Sequence, residues 1–322
     1  MSPRIRSQFI DAQRLVLTKA LNVEKGKHCH FRSEDDIPLQ RIAELGKGGF
    51  SYVDQVRSTI SYNEYARKLI SRGRTFPKDQ KVLKEFEREL GTLKKLSHLH
   101  IVKLVGSYTD PRYVGLILSP VADCNLKQFL NRDPLSPADR SFLPTFFGCL
   151  ASALKYLHEK RIRHRDIKPQ NILVKSHQVL LTDFGISRDW SNSEHSTTEG
   201  PTIKTLRYSA PEVAAEMPRN SSSDIWSLGC VYLEIWTVMC GNLNELTSHM
   251  EASGTMSNLY YRNLEAVSSW SDILLSKAGD EGLHKPYVWI QSMLRERKLT
   301  GVGASIVSLT TYRRPTLIGT FQ

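Results

Sequence analysis

The stretch that decides the fold is IRHRDIKPQNILV, residues 162–174, which is followed by LTDFG, residues 181–185. The first piece has the pattern H-R-D-x-K-x-x-N and the second has the pattern D-F-G. A lone D-F-G is weak, because tripeptides recur by chance, but two ordered motifs with strand-like residues between them are a specific signal. Together they supply side chains that carry charge or donate hard oxygen atoms, namely Asp166, Lys168, Asn171 and Asp183.

Three segments before this stretch carry further patterns. LGKGGFSYV, residues 45–53, is rich in glycine, which lets a backbone approach a ligand closely. YARKLI, residues 65–70, alternates as a strand does, so Arg67 and Lys68 are expected to point to opposite faces. Residues 81–96 repeat apolar side chains at helical spacing and predict an amphipathic helix. Its apolar face consists of Phe86, Leu90, Leu93 and Leu96.

The remaining patterns predict two strands and two helices. Residues 101–108 and 113–118 have strand composition and are joined by a turn. Residues 136–160 are predicted to form a long helix whose apolar positions recur every three or four residues. The run 225–240 is apolar but short and contains Glu234, so it predicts a buried core helix rather than a membrane span.

These motifs, with A-P-E at residues 210–212 and SDIWSLG at 223–229, resemble those of the eukaryotic-type protein kinases. The resemblance implies an α+β, two-lobed protein kinase fold, with a small β-rich N-lobe and a larger, mainly helical C-lobe. The sequences GKGGF, YARKLI, VGSYTD and SPVAD are similar to those of a serine/threonine kinase group abundant in filamentous fungi.

The resemblance also implies a division of the chain. Residues 1–38 are expected to be an N-terminal extension that ends in a polar linker, with Pro38 discouraging helix. The kinase domain is expected over 39–317, with the N-lobe and hinge at 39–121 and the C-lobe at 122–317. A tail at 318–322 follows, and it is short enough that the last helix of the family is expected to be incomplete or frayed.

The family's chemistry can be carried over to the opening stretch. Asp166 is expected to accept the proton of the substrate hydroxyl, and Lys168 is expected to contact the transferred phosphoryl group. Asn171 and Asp183 are expected to hold Mg²⁺, which prefers oxygen ligands. Asp224 is expected to accept hydrogen bonds from the backbone of the catalytic loop.

ATP is the implied nucleotide. Lys68 is expected to contact its phosphates, and Glu85, Glu87 and Glu89 are all possible partners for that lysine; the family's spacing to His98 favours Glu89. The hinge is expected at 119–121, and the ribose contact is left open between two side chains, Asp123 and Asn125. The implied nucleotide-binding residues are Gly46, Lys47, Gly48, Gly49, Phe50, Ser51, Val53, Ala66, Lys68, Glu89, Leu118, Ser119, Val121, Asp123, Asn125, Leu173 and Asp183.

Protein substrates with serine or threonine are implied by Lys168 together with Thr205 and the A-P-E segment. Thr197, Thr198 and Thr202 are candidate sites for an upstream kinase, with Arg165 and Arg188 as candidate phosphate partners. Arg314 matches the arginine that pairs with Glu212 in the family. The alternatives are a pseudokinase-like scaffold that binds ATP and partners with little transfer, a small-molecule kinase and a nucleic-acid-binding protein.

Composition adds weaker constraints. The net charge of +11 is sizeable, but the basic residues are spread along the chain, so specific nucleic-acid binding is not expected. Five cysteines without C-x-x-C spacing favour a reduced, intracellular protein of the cytoplasm or nucleus. The cluster at residues 28–30, HCH, is expected to be a surface loop rather than part of a metal site.

Overall fold

The computed structural model describes residues 23–47, 51–185, 188–189, 203–216, 221–253, 257–278 and 284–294. The chain divides into two compact units. The N-terminal unit comprises Met1–Asp123 and Thr182–Ser187, and the C-terminal unit comprises Cys124–Leu181 and Arg188–Gln322. The described part of the first unit is a sheet with a long helix, and that of the second is mainly helical. This is the predicted α+β class.

A six-stranded sheet forms the N-terminal unit. Its strands are β1 (His28–His30), β2 (Leu39–Lys47), β3 (Ser51–Ser58), β4 (Glu64–Ser71), β5 (Lys103–Thr109) and β6 (Tyr113–Ser119). The order across the sheet is β1-β5-β6-β4-β3-β2, and every neighbouring pair is antiparallel except β1 and β5, which run parallel. The two strands predicted at 101–108 and 113–118 correspond to β5 and β6.

The helix of this sheet unit, α1 (Phe76–Lys94), begins five residues before its predicted start. Pro77 lies in the first turn, where a missing N–H costs no hydrogen bond, so the proline is compatible with the earlier start. The predicted apolar face is buried, with Phe86, Leu90 and Leu93 each less than 9% exposed.

The C-terminal unit contains helices α2 (Leu126–Leu130), α3 (Pro137–Glu159), α4 (Pro211–Ala214), α5 (Ser222–Cys240), α6 (Leu243–Ala252), α7 (Leu264–Ala278) and α8 (His284–Met293). Its short strands are β7 (Cys124–Asn125), β8 (Ile162–Arg163), β9 (Ile172–Lys175), β10 (Gln178–Leu181) and β11 (Arg188–Asp189). The long helix predicted at 136–160 is α3, whose N-cap Ser136 accepts a hydrogen bond from the Asp139 N–H. The predicted core helix is α5, which is buried from Ile225 to Val238 except at Ser227. Across the described ranges, the helices are too short or too polar to cross a membrane.

Part of the segment before Leu39 packs into the N-terminal unit, whereas residues 33–36 of the predicted polar linker are exposed. Val23, Phe31 and Ile37 are buried in a core that includes Val56 and Tyr108, and β1 pairs with β5 where a loop was expected. Burying each such apolar side chain contributes about 1.5–3 kcal/mol. The described residues 23–38 are therefore part of the N-terminal unit.

Candidate active site

Lys68 occupies the centre of a charge cluster in the N-terminal unit. Its Nζ donates hydrogen bonds to Glu89 Oε1 at 2.8 Å and to Asp183 Oδ1 at 2.9 Å. Glu89 is buried, whereas Glu85 and Glu87, the two alternatives for this ion pair, are exposed. The ion pair with Glu89 that the sequence favoured is therefore present.

The charges in this cluster are set by burial and by pairing. Burial alone would lower the pKa of Lys68, but the two carboxylates outweigh it and raise that pKa, so the ammonium group stays protonated. Burial raises the pKa of Glu89 above its ordinary value, although Lys68 acts against this. The Asp183 side chain is 45% exposed, so this carboxylate remains accessible to a ligand.

The D-F-G motif has a constrained backbone. Asp183 has a φ of 65°, a left-handed conformation that is uncommon for residues other than glycine and that concentrates at functional sites. Phe184 is 1% exposed. A Cβ atom at Gly185 would lie 3.3 Å from Glu89 Oε2, so glycine lets the loop pass close to the Lys68–Glu89 pair.

Other predicted nucleotide contacts lie on neighbouring strands. Ala66 on β4 is paired with Leu118 on β6, and both are buried. Val53 is paired with Lys68 across β3 and β4. On the other side of β3, Val53 is paired with Gly46 of β2. A Cβ atom at Gly46 would meet open space.

The rest of the nucleotide set is distributed as follows. Lys47 is exposed and Ser51 is half-buried at the facing ends of β2 and β3. Ser119 and Val121 are half-buried after β6, and Asp123 is exposed. Gly48, Gly49 and Phe50 lie outside the described residues.

In the C-terminal unit, Asp166 forms a compact cluster with two neighbours. Its Oδ2 accepts hydrogen bonds from Lys168 Nζ at 2.7 Å and from Asn171 Nδ2 at 2.8 Å. The same Asn171 amide donates to the Asp166 carbonyl at 2.9 Å. The three side chains that the motif predicted therefore meet at one carboxylate.

Asp224, near the start of α5, holds this loop by its backbone. Its carboxylate accepts hydrogen bonds from the His164 N–H at 2.9 Å and from the Arg165 N–H at 2.8 Å, which confirms the predicted contact. Arg165 has a φ of 71°, so the loop is strained where it is held. Burial would raise the pKa of Asp224, but hydrogen bonds from His158 and from the backbone keep it below its ordinary value.

Sequence reasoning did not single out His158. Its Nε2 lies 3.1 Å from Asp224 Oδ2, so it stabilises the carboxylate that holds the catalytic loop. Its partner lies on a helix far along the chain, and the local sequence of α3 gave no signal of this contact.

The alternatives for the ribose contact differ in their surroundings. Asn125 is the N-cap of α2: its side chain accepts from the Gln128 N–H at 2.9 Å, and its own N–H donates to Gln128 Oε1 at 3.0 Å. Asn125 also pairs with Leu173 across β7 and β9. Because the Asn125 side chain serves the cap, the exposed Asp123 is the better candidate.

The two residues predicted to hold Mg²⁺, Asp183 and Asn171, lie in different units. Within the described ranges, no three His, Cys, Asp or Glu side chains form a metal-binding group. Mg²⁺ commonly takes one or two protein oxygens and completes its shell with phosphate and water. The half-exposed Asp183 carboxylate provides such an oxygen in one unit. In the C-terminal unit, Asn171 donates through its nitrogen to Asp166, and its amide oxygen is of the type that a hard cation prefers.

The sheet unit, the helical unit and their motif clusters define the protein kinase fold. Residues 39–284 match the protein kinase domain family. Because this match covers most of the chain, the protein belongs to that family.

The chain is also similar to several curated proteins. It is 34% identical to serine/threonine-protein kinase 36 of Pongo abelii over 193 residues, 59% of this chain and 14% of that protein. It is 31% identical to human 3-phosphoinositide-dependent protein kinase 1 over 202 residues, 62% of this chain and 35% of that protein. It is 29% identical to serine/threonine-protein kinase nekl-2 of Caenorhabditis elegans over 211 residues, 62% of this chain and 57% of that protein. The matched region spans less than two thirds of the length of each relative.

Proposed function

We propose that this chain is a serine/threonine protein kinase that transfers the γ-phosphate of ATP to hydroxyl groups of protein substrates. The observation that carries the proposal is the cluster in which Lys168 and Asn171 both donate to the Asp166 carboxylate. Such a cluster orients a proton acceptor and keeps a positive charge beside it, which are the two tasks that phosphoryl transfer leaves to a protein.

In the proposed reaction, Asp166 accepts the proton of the substrate hydroxyl. The hydroxyl oxygen forms a bond to the γ-phosphorus while the bond from that phosphorus to the β,γ-bridging oxygen breaks. The Lys168 ammonium balances the charge on the transferred group. Asp224 helps to hold Asp166 in position, because its carboxylate accepts hydrogen bonds from the two backbone N–H groups that precede Asp166.

The N-terminal unit is proposed to hold the nucleotide. Lys68 contacts its phosphates, and Glu89 holds the Lys68 ammonium group by a hydrogen bond. Ala66, Val53 and Leu118 pack on the adenine, while Ser119 and Val121 offer backbone groups to it. Leu173, on β9 of the C-terminal unit, is also proposed to contact the nucleotide. The loop from Gly46 to Ser51 covers the phosphates, and Asp123 contacts the ribose.

Mg²⁺ is proposed to be held by Asp183 and Asn171, and when bound it neutralises charge on the phosphates. Each residue supplies an oxygen of the type that this ion prefers. Asp183 already accepts a hydrogen bond from Lys68, so the aspartate is held in place before a cation arrives.

The serine/threonine subclass is proposed from two residues, Lys168 and Thr205, and from the names of similar proteins. Lys168 and Thr205 match residues typical of serine/threonine kinases, and similar proteins are named serine/threonine-protein kinases. The pseudokinase-like scaffold is the second interpretation, but Lys68, Asp166, Asn171 and Asp183 are all present, which favours the enzyme.

Finer parts of the proposal concern regulation and context. Thr197, Thr198 and Thr202 are proposed targets of an upstream kinase, although these threonines and Arg314 lie outside the described residues. The kinase domain is proposed to extend to residue 317, beyond the matched region. A cytoplasmic or nuclear location and membership of the fungal kinase group rest on the sequence patterns.

The proposal is tested by transfer of radiolabelled phosphate to a mixture of serine, threonine and tyrosine peptides. We expect Asp166→Asn to lower the rate by at least about a hundredfold, because a general base contributes that much or more. Asp36→Asn is the matched control, because it is the same aspartate-to-asparagine substitution at an exposed position. Equal label from wild type and Asp166→Asn would overturn the enzyme in favour of the scaffold, and label on tyrosine peptides would overturn the subclass.

A further inference from the structure

Residues 23–38, here called the N-terminal segment, precede the matched kinase region but pair with its sheet. His28, Cys29 and His30 run parallel to Ser107, Tyr108 and Thr109 of β5. The pairing extends at both ends, where Gly26 N–H donates to the Val105 carbonyl at 2.8 Å and Phe31 N–H donates to the Thr109 carbonyl at 2.9 Å. The segment therefore has a defined register on the sheet edge.

Side chains and a close backbone approach fix the start of the segment. Glu24 accepts hydrogen bonds from Ser58 Oγ and from Tyr65 Oη. A Cβ atom at Gly106 would lie 1.7 Å from the Val23 carbonyl oxygen, so the backbone at Val23 can occupy its place because residue 106 is glycine. These contacts leave little freedom for β1 to slide along β5.

His28 connects this fixed segment to α1. Its Nδ1 lies 3.0 Å from Ser107 Oγ, and its ring meets the Phe86 ring edge to face with 5.9 Å between centroids. His28 is exposed on the outer side of β1, but these contacts partly desolvate its ring and lower its pKa, and the charges of Lys94 and His30 act in the same direction. At neutral pH the ring is uncharged and suited to pack against an aromatic side chain.

Phe86 in turn shares a helix face with Glu89. Residues three apart lie about one turn from each other on the same side of a helix. Both are buried, and Glu89 Oε1 receives the hydrogen bond from Lys68. A shift of α1 that moves Phe86 would therefore also move Glu89.

From this geometry we propose that His28 is a positioning residue. Its ring packs against Phe86 and holds α1 in position, so that Glu89 stays within hydrogen-bond distance of Lys68. The proposal rests on the proposed phosphotransfer function for its effect on activity. It assigns a role to a residue that lies outside the matched range 39–284.

Amide hydrogen exchange over residues 86–93 tests the positioning in the full chain and needs no phosphate transfer. We expect His28→Ala to speed exchange there, and His28→Phe to restore slow exchange because it keeps an aromatic ring against Phe86. His30→Ala is the matched control: His30 Nδ1 lies 2.9 Å from Thr109 Oγ1, a hydroxyl that His28 Nε2 also approaches at 3.4 Å, so the control removes a histidine contact from this strand and keeps the ring against Phe86. Unchanged exchange in His28→Ala, or an equal rise in His30→Ala, would overturn the proposal.

Kinetics then test the route through Glu89. We expect His28→Ala to lower kcat/KM for ATP by about fivefold, a size usual for coupling through packed side chains. In a Glu89→Gln background the same change should cost less than about twofold, because residues that act through one contact are not additive. A full fivefold loss in that background would show that His28 acts elsewhere. If wild type transfers no phosphate, the proposed function fails, while hydrogen exchange still decides the role of His28.

Discussion

The two faces of β4 hold two cations in different ways. Arg67 points to one face, where it bonds to Asp54 through Nε at 3.0 Å and through Nη2 at 2.6 Å. Lys68, the next residue, points to the other face and is shared between Glu89 and Asp183. The Asp54 side chain is fully buried, whereas the Asp183 side chain is 45% exposed.

The difference separates a cation that stabilises the fold from one that can meet a ligand. The planar guanidinium of Arg67 matches one carboxylate with two parallel bonds and contacts Tyr108 Oη with a third nitrogen at 3.4 Å. Burial would lower the pKa of Arg67, but Asp54 more than offsets it. Lys68 is a point charge with two acidic partners, and one of them lies on an accessible loop.

The largest effect is expected from breaking the Arg67 pair. Asp54→Leu leaves the Arg67 guanidinium buried without its carboxylate, and we expect a loss of about 3–5 kcal/mol in the free energy of unfolding. Denaturant unfolding measures this loss. The double variant Asp54→Leu/Arg67→Leu should recover much of the stability, since a buried ion pair is often replaceable by apolar side chains. A double variant no better than the single one would contradict the account.

Loss of Lys68 should act on activity more than on the fold. We expect Lys68→Met to lower kcat/KM for ATP by about 10²–10³-fold, the usual loss when one charge-stabilising donor is removed. Lys81→Met is a matched control, because Lys81 is exposed and belongs to no predicted binding set.

The same variant should also respond to pH in a defined direction. Burial raises the pKa of Glu89, and removing Lys68 removes the charge that opposes this rise. The folded state then binds more protons than the unfolded state above the ordinary pKa of 4.5, so stability falls as pH rises through that window. The Tm of Lys68→Met relative to wild type should be higher at about pH 5 than at about pH 8.

The sequence predicted the residues around Lys68 better than it predicted the partner of Arg67. Alternation along β4 put the two cations on opposite sides, and the motifs carried the identity of Glu89 and Asp183. Arg67 has no motif: its partner Asp54 depends on the register of β3 against β4. Burial of this face also depends on Val23, Phe31 and Ile37, which lie in the predicted N-terminal extension, where no motif indicated packing against the sheet.

A further test concerns the N-terminal segment, residues 23–38, which packs on the Arg67 face of the sheet. Gly106→Ala would place a Cβ atom against the Val23 carbonyl, and we expect a loss of about 1–3 kcal/mol in stability from the forced backbone shift. Gly91→Ala is the control, because a Cβ atom at Gly91 meets open space and the position is helical. Comparison of the two unfolding midpoints measures the difference, and equal midpoints would contradict the close approach.

The smallest effect is expected from a single hydroxyl on that face. Tyr65→Phe removes the hydrogen bond to Glu24 Oε2 at 3.0 Å, and we expect a loss of about 1 kcal/mol. Tyr62→Phe should be neutral because Tyr62 is 74% exposed. Activity per folded molecule should be unchanged in both, since Lys68 lies on the other face.

The pairing of β1 with β5 also bears on solubility. A fragment that starts at Leu39, where the family match begins, would lack Val23, Phe31 and Ile37 and would leave their apolar partners on the sheet in contact with water. It would also leave the backbone groups of β5 unpaired along an open edge, which is a template for strand addition by another chain. Apolar surface next to an open edge favours aggregation. We therefore expect a fragment that starts at Leu39 to aggregate more readily than a chain that includes residues 23–38.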